Sequence, residues 1–182
     1  MSSVLEDLGG IKEDVWRIWT RAAEDGAQSP GALATLATTR LGGGSSARMI
    51  VLRAADQEAS TLVFWTNRTS QKVVELAQTP SAALVFWLPD DQLQIRADAI
   101  IRTSQGKRET WDSLGENARR NYLAYAKPDG ELSTPEDNSA RPDFQNFMVL
   151  TAKVDRIDVL SLAHNPHRRA VCDNEGVRWV AP

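Results

Sequence analysis

The chain has 182 residues, 42% of them apolar and 25% charged, which is the composition of a globular domain with its own core. Its 21 basic and 24 acidic side chains give a net charge of −3, which argues against nucleic acid or an anionic membrane as partner. No apolar run is long enough to cross a bilayer, and the first ten residues lack a secretory pattern. We therefore expect a cytoplasmic protein.

In chain order, hydrophobic periodicity and turn residues predict a set of short elements. These are helices over 4–22, 70–78 and 107–126, strands over 32–39, 48–53, 62–66, 82–88 and 93–102, one long or two short strands over 147–162, and a hairpin of 170–172 with 177–180. The strand over 93–102 has the clearest pattern, because its apolar and polar residues alternate over ten positions. Its predicted buried face consists of Leu93, Ile95, Ala97, Ala99 and Ile101.

Seven or eight short strands and three or four helices do not alternate as a doubly wound fold requires. We predict a mostly β fold, a small antiparallel barrel with helices outside it, because closure removes exposed sheet edges. Residues 127–143 contain three prolines and show no period. This segment is predicted to be either a flap over a site or a disordered excursion.

Histidine and cysteine are scarce in this sequence. His164 and His167 are the only histidines, and no Cys or HExxH pattern accompanies them, so we predict no metal site. Cys172 is the only cysteine, and its apolar neighbours indicate a small buried residue and not a nucleophile.

The start of the helix over 70–78 is unusually basic. Arg68 and Lys72 lie at its positive dipole end, where carboxylates are usually favoured, and Ser70 is placed to cap the first turn. The helix is expected to bury Val73, Leu76 and Ala77. Free first-turn amides, hydroxyls and two cations predict a phosphate site. The alternative is that both cations simply point into water.

Two interpretations are also open for other polar residues of the sequence. Arg48 begins a strand, and Arg168 and Arg169 precede the last hairpin; each could be a solvated edge residue. Gln94 lies on the polar face of its strand. It could be a solvated residue of the outer barrel surface, or its amide could supply the donor and acceptor pair that a flavin ring edge needs.

Five ordered motifs resemble the FMN-binding half of the pyridoxamine 5'-phosphate oxidase family. They are RMIVLR at 48–53, FWTN at 64–67, SQK at 70–72, TPSAALVFW at 79–87 and QIR at 94–96. HRR at 167–169 and WVAP at 179–182 are similar to the closing segment of that family. The resemblance spans residues 34–182, and the agreement in order and spacing is more specific than any one motif.

The resemblance implies one FMN-binding split-barrel domain over 1–182 and a homodimer with FMN at the subunit interface. Arg48 and Lys72 would hold the phosphate beside Ser70, with Gln71 where the family usually has a second cation. The remaining implied contacts are Trp65 and Thr66, the main chain of Met49, Ile50 and Val51, the side chain of Gln94, and the late arginine Arg169.

The sequence departs from the family where substrate binds. Arg53 stands where the oxidases have a lysine, Asn165 where they have an arginine, and the substrate-phosphate residues have no secure match between Tyr122 and Arg141. A doubly charged phosphate would be bound poorly without its arginines. These departures argue against oxidation of pyridoxamine phosphate itself. The candidate substrate contacts are Arg53, Arg96, His167 and Arg168.

The leading hypothesis is an FMN-dependent oxidoreductase that exchanges a hydride equivalent with a small redox substrate, with no catalytic side chain assigned. One alternative is a flavin-binding or carrier protein without turnover. A third is a different cofactor: a deazaflavin stays open, whereas the scarcity of histidine argues against haem.

Overall fold

The computed structural model describes residues 4–123 and 141–182. The strands are β1 Leu33–Thr39, β2 Ser45–Asp56, β3 Thr61–Asn67, β4 Ser81–Leu88, β5 Leu93–Gln105, β6 Phe147–Ser161, β7 Arg168–Asp173 and β8 Gly176–Val180. The helices are α1 Ile11–Asp25, α2 Gln71–Gln78, α3 Arg108–Ser113 and α4 Glu116–Arg119. Short 3-10 turns cover Gly26–Gln28, Pro30–Ala32, Arg120–Tyr122 and Phe144–Asn146.

The strands form one antiparallel sheet in the order β3-β2-β1-β4-β5-β6-β7-β8. A further pairing of β3 with β6 closes the first six strands into a barrel, and the β7–β8 hairpin extends the sheet beyond it. The predicted mostly β fold with peripheral helices is confirmed. Of the two alternatives for residues 147–162, one long strand is observed: β6 pairs with β5 along almost its whole length, with β3 along its first half and with β7 along its second.

The barrel interior is filled by the alternating apolar residues of its strands. The five residues predicted for the buried face of β5 are all at most 3% exposed, so this prediction is confirmed. Helix α1 covers the barrel with Val15, Trp16 and Trp19, and the Trp19 ring lies 5.3 Å from that of Phe86. Cys172 is also buried, as predicted, and burial raises the pKa of its thiol.

Three helix predictions need correction. The first helix begins at Ile11 and not at residue 4, because Gly10 adopts a left-handed backbone with φ of 89° and the preceding residues form turns. The helix over 107–126 is broken at Leu114, whose extended backbone separates α3 from α4. Residues 124–126 lie outside the described residues, as do residues 127–140 of the predicted loop.

The third correction concerns α2. The helix buries Leu76 as predicted, but Glu75 is buried instead of Ala77, which is exposed, and Val73 is half-buried. A charged side chain inside the helix–barrel contact has to be compensated, and its partner is described below.

A second, smaller cluster of aromatic rings lies outside the barrel, where Trp111 and Tyr122 pack on Phe147. Burial raises the pKa of Tyr122, and the charge of Arg53 lowers it by less. Over residues 4–123 and 141–182, no helix combines the length and the apolar character needed to span a bilayer.

Candidate functional site

A depression of about 600 Å³ lies between β2 and the start of α2. It brings together the four side chains that the family resemblance places at the phosphate: Arg48, Ser70, Gln71 and Lys72. Arg40, Ser46 and Glu75 also contribute to its polar lining. Arg68, the other cation of the predicted site, is exposed.

The first turn of α2 has no side-chain cap. Ser70 is the N-cap residue, but its hydroxyl donates to the Asn67 carbonyl at 2.7 Å and lies 3.2 Å from the Thr66 hydroxyl. The expectation that this hydroxyl would accept a first-turn amide is therefore wrong. Lys72 reaches the same place, since its Nζ donates to the Thr66 hydroxyl at 3.2 Å. The helix start thus offers amides and an ammonium on one side of the depression.

Arg48 crosses the depression to a carboxylate on α2. Its Nη2 lies 2.9 Å from Oε2 of Glu75, which is 1% exposed. Nη2 also donates to the Ser46 hydroxyl at 2.6 Å, and Nη1 donates to the Thr38 hydroxyl, which itself donates to Glu75. Glu75 therefore holds the guanidinium in a defined position at the edge of the depression.

The barrel is open beside this depression. Strand β2 pairs with β1 from Ser45 to Val51, whereas its pairing with β3 extends only from Asp56 back to Leu52 opposite Phe64. Within the described part of the chain, the main chain of residues 49–51 therefore has one edge without a strand partner. Trp65 and Thr66 lie on the facing part of β3, which pairs with β6 on its other side.

Gln94 and Arg169 lie in one row on the outside of the barrel. Gln94 of β5 is directly opposite Leu160 of β6, and Leu160 is directly opposite Arg169 of β7. Directly opposed residues place their side chains on the same face of a sheet, and here the other face holds the core. The row presents an amide, an apolar side chain and a guanidinium in succession.

Arg169 is fixed by a buried carboxylate. Its Nε and Nη2 donate to the two oxygens of Asp158 at 2.9 and 2.8 Å, and its Nη1 donates to the Ala181 carbonyl. Asp158 is 3% exposed and lies 3.8 Å from Arg96 and 3.6 Å from Arg156. Burial raises the pKa of Asp158, but the Arg169 hydrogen bonds and the three arginine charges outweigh it, so the pKa lies below its usual value.

The four predicted substrate contacts are not brought together. Arg53 lies in a β-bulge with its guanidinium 4.7 Å from the centre of the Trp65 ring, and Arg96 lies beside Asp158. His167 is exposed in the turn before β7. Arg168 lies on the face of β7 opposite to Arg169, where it donates to the Leu5 carbonyl and contacts Glu6. Their substrate roles stay predictions.

The predicted cofactor contacts therefore fall into two groups. The phosphate group consists of the depression, the open edge of β2 and the end of β3, and the ring group consists of Gln94 and Arg169 on β5 and β7. On one side β1 and β4 lie between β2 and β5, which are about 14 Å apart along the sheet. On the other side β3 and β5 both pair with β6, but Trp65 is opposite Val149 and Gln94 is opposite Leu160, about 35 Å further along that strand. One copy of the chain does not bring them together.

Sequence reasoning missed the two buried carboxylates, Glu75 and Asp158. Asp158 carried a signal, because an acid between Ile157 and Val159 in an apolar strand needs a cation nearby. Glu75 carried less, because a glutamate within a short helix is normally solvent-exposed. Among the residues that the structure describes, no group of three or more His, Cys, Asp or Glu side chains is placed to hold a metal ion.

A family model described as pyridoxamine 5'-phosphate oxidase matches residues 27–160. A pyridoxine/pyridoxamine 5'-phosphate oxidase from Thermosynechococcus vestitus is 30% identical over 144 residues, which is 70% of this chain and 67% of the relative. The chain belongs to the pyridoxamine 5'-phosphate oxidase family, and the resemblance noted from the motifs is confirmed.

Other relatives of that name match over shorter stretches. The enzyme from Chromohalobacter salexigens is 36% identical over 94 residues, 52% of this chain. The chain spans only 43%, 39% and 35% of the relatives from Chromohalobacter salexigens, Gloeothece citriformis and Acaryochloris marina.

Two solved structures share the fold. A pyridoxamine 5'-phosphate oxidase-related, FMN binding protein from Nostoc punctiforme superposes with a TM-score of 0.72 at 19% identity over 100% of both chains. PhzG from Burkholderia lata, solved with tetrahydrophenazine-1-carboxylic acid, gives a TM-score of 0.71 at 18% identity, over 84% of this chain and 83% of PhzG. At these identities the likeness concerns the fold.

Proposed function

We propose that this protein is a homodimeric FMN-dependent oxidoreductase with two FMN sites at the subunit interface. The observation that carries the proposal is the depression between β2 and α2, which joins an uncapped helix start, Lys72 and Arg48 to an open strand edge. An anionic phosphate attached to a flat ring system matches this combination of charge and shape.

The phosphate would lie against the first turn of α2. There the amides of Gln71 and Lys72 supply oriented dipoles and Lys72 supplies a charge. Arg48 completes the clamp from β2, already held in place by Glu75. Glu75 does not cancel the site, because Lys72 and the helix dipole add positive charge that this one carboxylate does not balance.

The flavin ring would extend from the phosphate along the open edge of residues 49–51, towards Trp65 and Thr66. Gln94 and Arg169 would reach it from the second protomer, since they lie too far away on the same chain. The outer barrel face of strands β1, β2, β4 and β5 exposes Met49 by 59% and Trp87 by 44%, together with Leu33 and Ile100. Burial of such apolar side chains favours association of two barrels.

When bound, FMN supplies the hydride chemistry at its ring. The chain's own residues would bind the phosphate, orient the ring and present one ring face to a small substrate, which agrees with the scarcity of His and Cys in the sequence. Arg53, Arg96, His167 and Arg168 are the proposed substrate contacts. The departures at Arg53 and Asn165 point to a substrate other than pyridoxamine phosphate.

The test is to purify the protein, identify any released chromophore by mass, and titrate flavin-free protein with FMN while measuring the dimer mass. We expect saturable binding with one FMN per protomer. Colourless protein that does not bind FMN at saturating supply would overturn the proposal. Release of a deazaflavin in place of FMN would support the alternative hypothesis that this protein binds a different cofactor.

Turnover distinguishes the enzyme from a flavin carrier. Under anaerobic conditions, rapid bleaching of the bound FMN absorbance by NADPH, followed by recovery with a defined acceptor, is expected for an oxidoreductase. Bound FMN that neither NADPH nor NADH reduces and that no acceptor reoxidises after chemical reduction would support the carrier.

A further inference from the structure

Arg169 is unusually constrained for an arginine on an outer barrel face. Three of its five N–H donors are occupied, two by Asp158 and one by the Ala181 carbonyl. Asp158 binds the side of the guanidinium that contains Nε and Nη2, so the remaining N–H bonds of Nη1 and Nη2 are not directed at the carboxylate. A long side chain that is otherwise mobile is thus held in one orientation.

Asp158 is also surrounded by more positive charge than its single negative charge requires. Its carboxylate is buried and satisfied by Arg169 alone, yet Arg96 and Arg156 lie within 4 Å of it. Arg156 is shared with Asp98 at 3.3 Å and with Asp173 at 4.0 Å, so those acids balance the outer arginines. Asp158 is therefore the acid whose contacts define where Arg169 lies.

We propose that Asp158 is a positioning residue for the cofactor. It fixes the guanidinium of Arg169 in the row with Gln94, so that Arg169 is already oriented when it meets the flavin bound to the partner protomer. This inference rests on the proposed function. Its physical basis is pre-organisation: an arginine ordered before binding loses less conformational freedom when its ligand arrives. Asp158 itself need not touch the flavin.

Positioning and simple charge predict opposite effects for Asp158→Asn. Because FMN is an anion, removal of a nearby negative charge should tighten binding if charge were all that mattered. If Asp158 positions Arg169, the same substitution should weaken FMN binding about tenfold, as the bidentate pair is lost. Asp158→Glu, which keeps the charge and the pairing chemistry, should recover part of this loss.

Asp98→Asn is the matched control. It removes a carboxylate from the same network, but in the described part of the chain the arginine that Asp98 pairs with is Arg156 and not Arg169. We expect its FMN affinity to equal that of the wild type or to be slightly higher. A weakening equal to that of Asp158→Asn would overturn the proposal, because it would show that any acid of the network matters.

A double-mutant cycle decides whether Asp158 acts through Arg169. FMN dissociation constants are measured for Asp158→Asn, Arg169→Gln and the double variant, with unfolding midpoints of the flavin-free proteins as the folding control. We expect the double variant to bind FMN as Arg169→Gln does. Additive losses, or no loss in Asp158→Asn, would overturn the inference.

Two further outcomes are decisive. If Asp158→Asn alone does not fold, the double variant is compared with Arg169→Gln, and weaker FMN binding by the double variant overturns the inference, whereas equal binding supports it. If the wild type binds no FMN, the proposed function fails and the inference fails with it. If the wild type binds FMN but the losses in the double-mutant cycle are additive, this inference fails and the proposed function stands.

Discussion

Each of the two groups of candidate cofactor contacts contains an arginine held by a buried carboxylate. The two carboxylates differ in the positive charge that surrounds them. Glu75 is met by Arg48 and by the Thr38 hydroxyl, whereas Asp158 is met by three arginines. A buried carboxylate without its cation is costly, because desolvation is no longer offset. Arg48 is therefore needed by the fold as well as by the proposed phosphate, while at Asp158 other arginines remain if one is lost.

The largest expected effect follows from the Glu75 pair. Arg48→Ala should lower the free energy of unfolding by about 3 kcal/mol, because Glu75 stays buried without its cation. Urea unfolding of the flavin-free protein measures this. The double variant Arg48→Ala/Glu75→Gln should recover most of the loss, since a neutral amide is far cheaper to bury. If the single and double variants were equally unstable, the Arg48–Glu75 pair would not be the cause.

Lys72 separates cofactor binding from stability. Lys72→Ala should weaken FMN binding by about 1.5–3 kcal/mol, as one charge-assisted contact to the phosphate is lost. Its unfolding free energy should change by less than about 0.5 kcal/mol, because Lys72 is only half-buried, at the rim of the depression. Arg102→Ala, an exposed arginine elsewhere on β5, is the control and should alter neither quantity. Unchanged flavin titrations for both Lys72→Ala and Arg48→Ala would contradict the phosphate site.

The sequence predicted the strands well and the two ion pairs not at all. Alternation along β5 identified its buried face, because a period of two reports directly on burial. Ser70 and Lys72 could be proposed for a phosphate because a basic helix start is local in sequence, whereas Arg48 and Gln71 were assigned by the family resemblance. Arg48 with Glu75, and Asp158 with Arg169, join separate elements, so only the register of the sheet and the packing of α2 reveal them.

Helix limits were also harder to predict than helix presence. Periodicity continued through residues 4–10 because Val4 and Leu5 are buried although they are not helical. Burial thus produced the apolar pattern without the helix that usually accompanies it. The apolar pattern likewise predicted that α2 would bury Ala77, whereas the buried residue is Glu75.

The distance between the two groups gives a prediction about the dimer. Gln94→Ala should weaken FMN binding by about 1 kcal/mol, as one neutral hydrogen bond is lost. When Gln94→Ala and Lys72→Ala proteins are mixed under conditions that exchange subunits, half of the sites in each heterodimer should regain wild-type affinity. This occurs because one site then contains both wild-type residues and the other contains both substitutions. If every site in the mixture kept a single defect, Lys72 and Gln94 would belong to the same chain's site.

The smallest effect is expected from pH. The pKa of Asp158 is lowered in the folded protein, so the stability that it contributes is present above the unfolded value of about 3.9 and is lost as pH falls through the lower folded value. The difference in unfolding free energy between wild type and Asp158→Asn should therefore be constant from about pH 8 to about pH 5 and should shrink below about pH 4. Urea unfolding at a series of pH values measures it. A difference that already fell between pH 7 and pH 5 would mean that the carboxyl titrates in that range, which is incompatible with three arginines around an ionised Asp158.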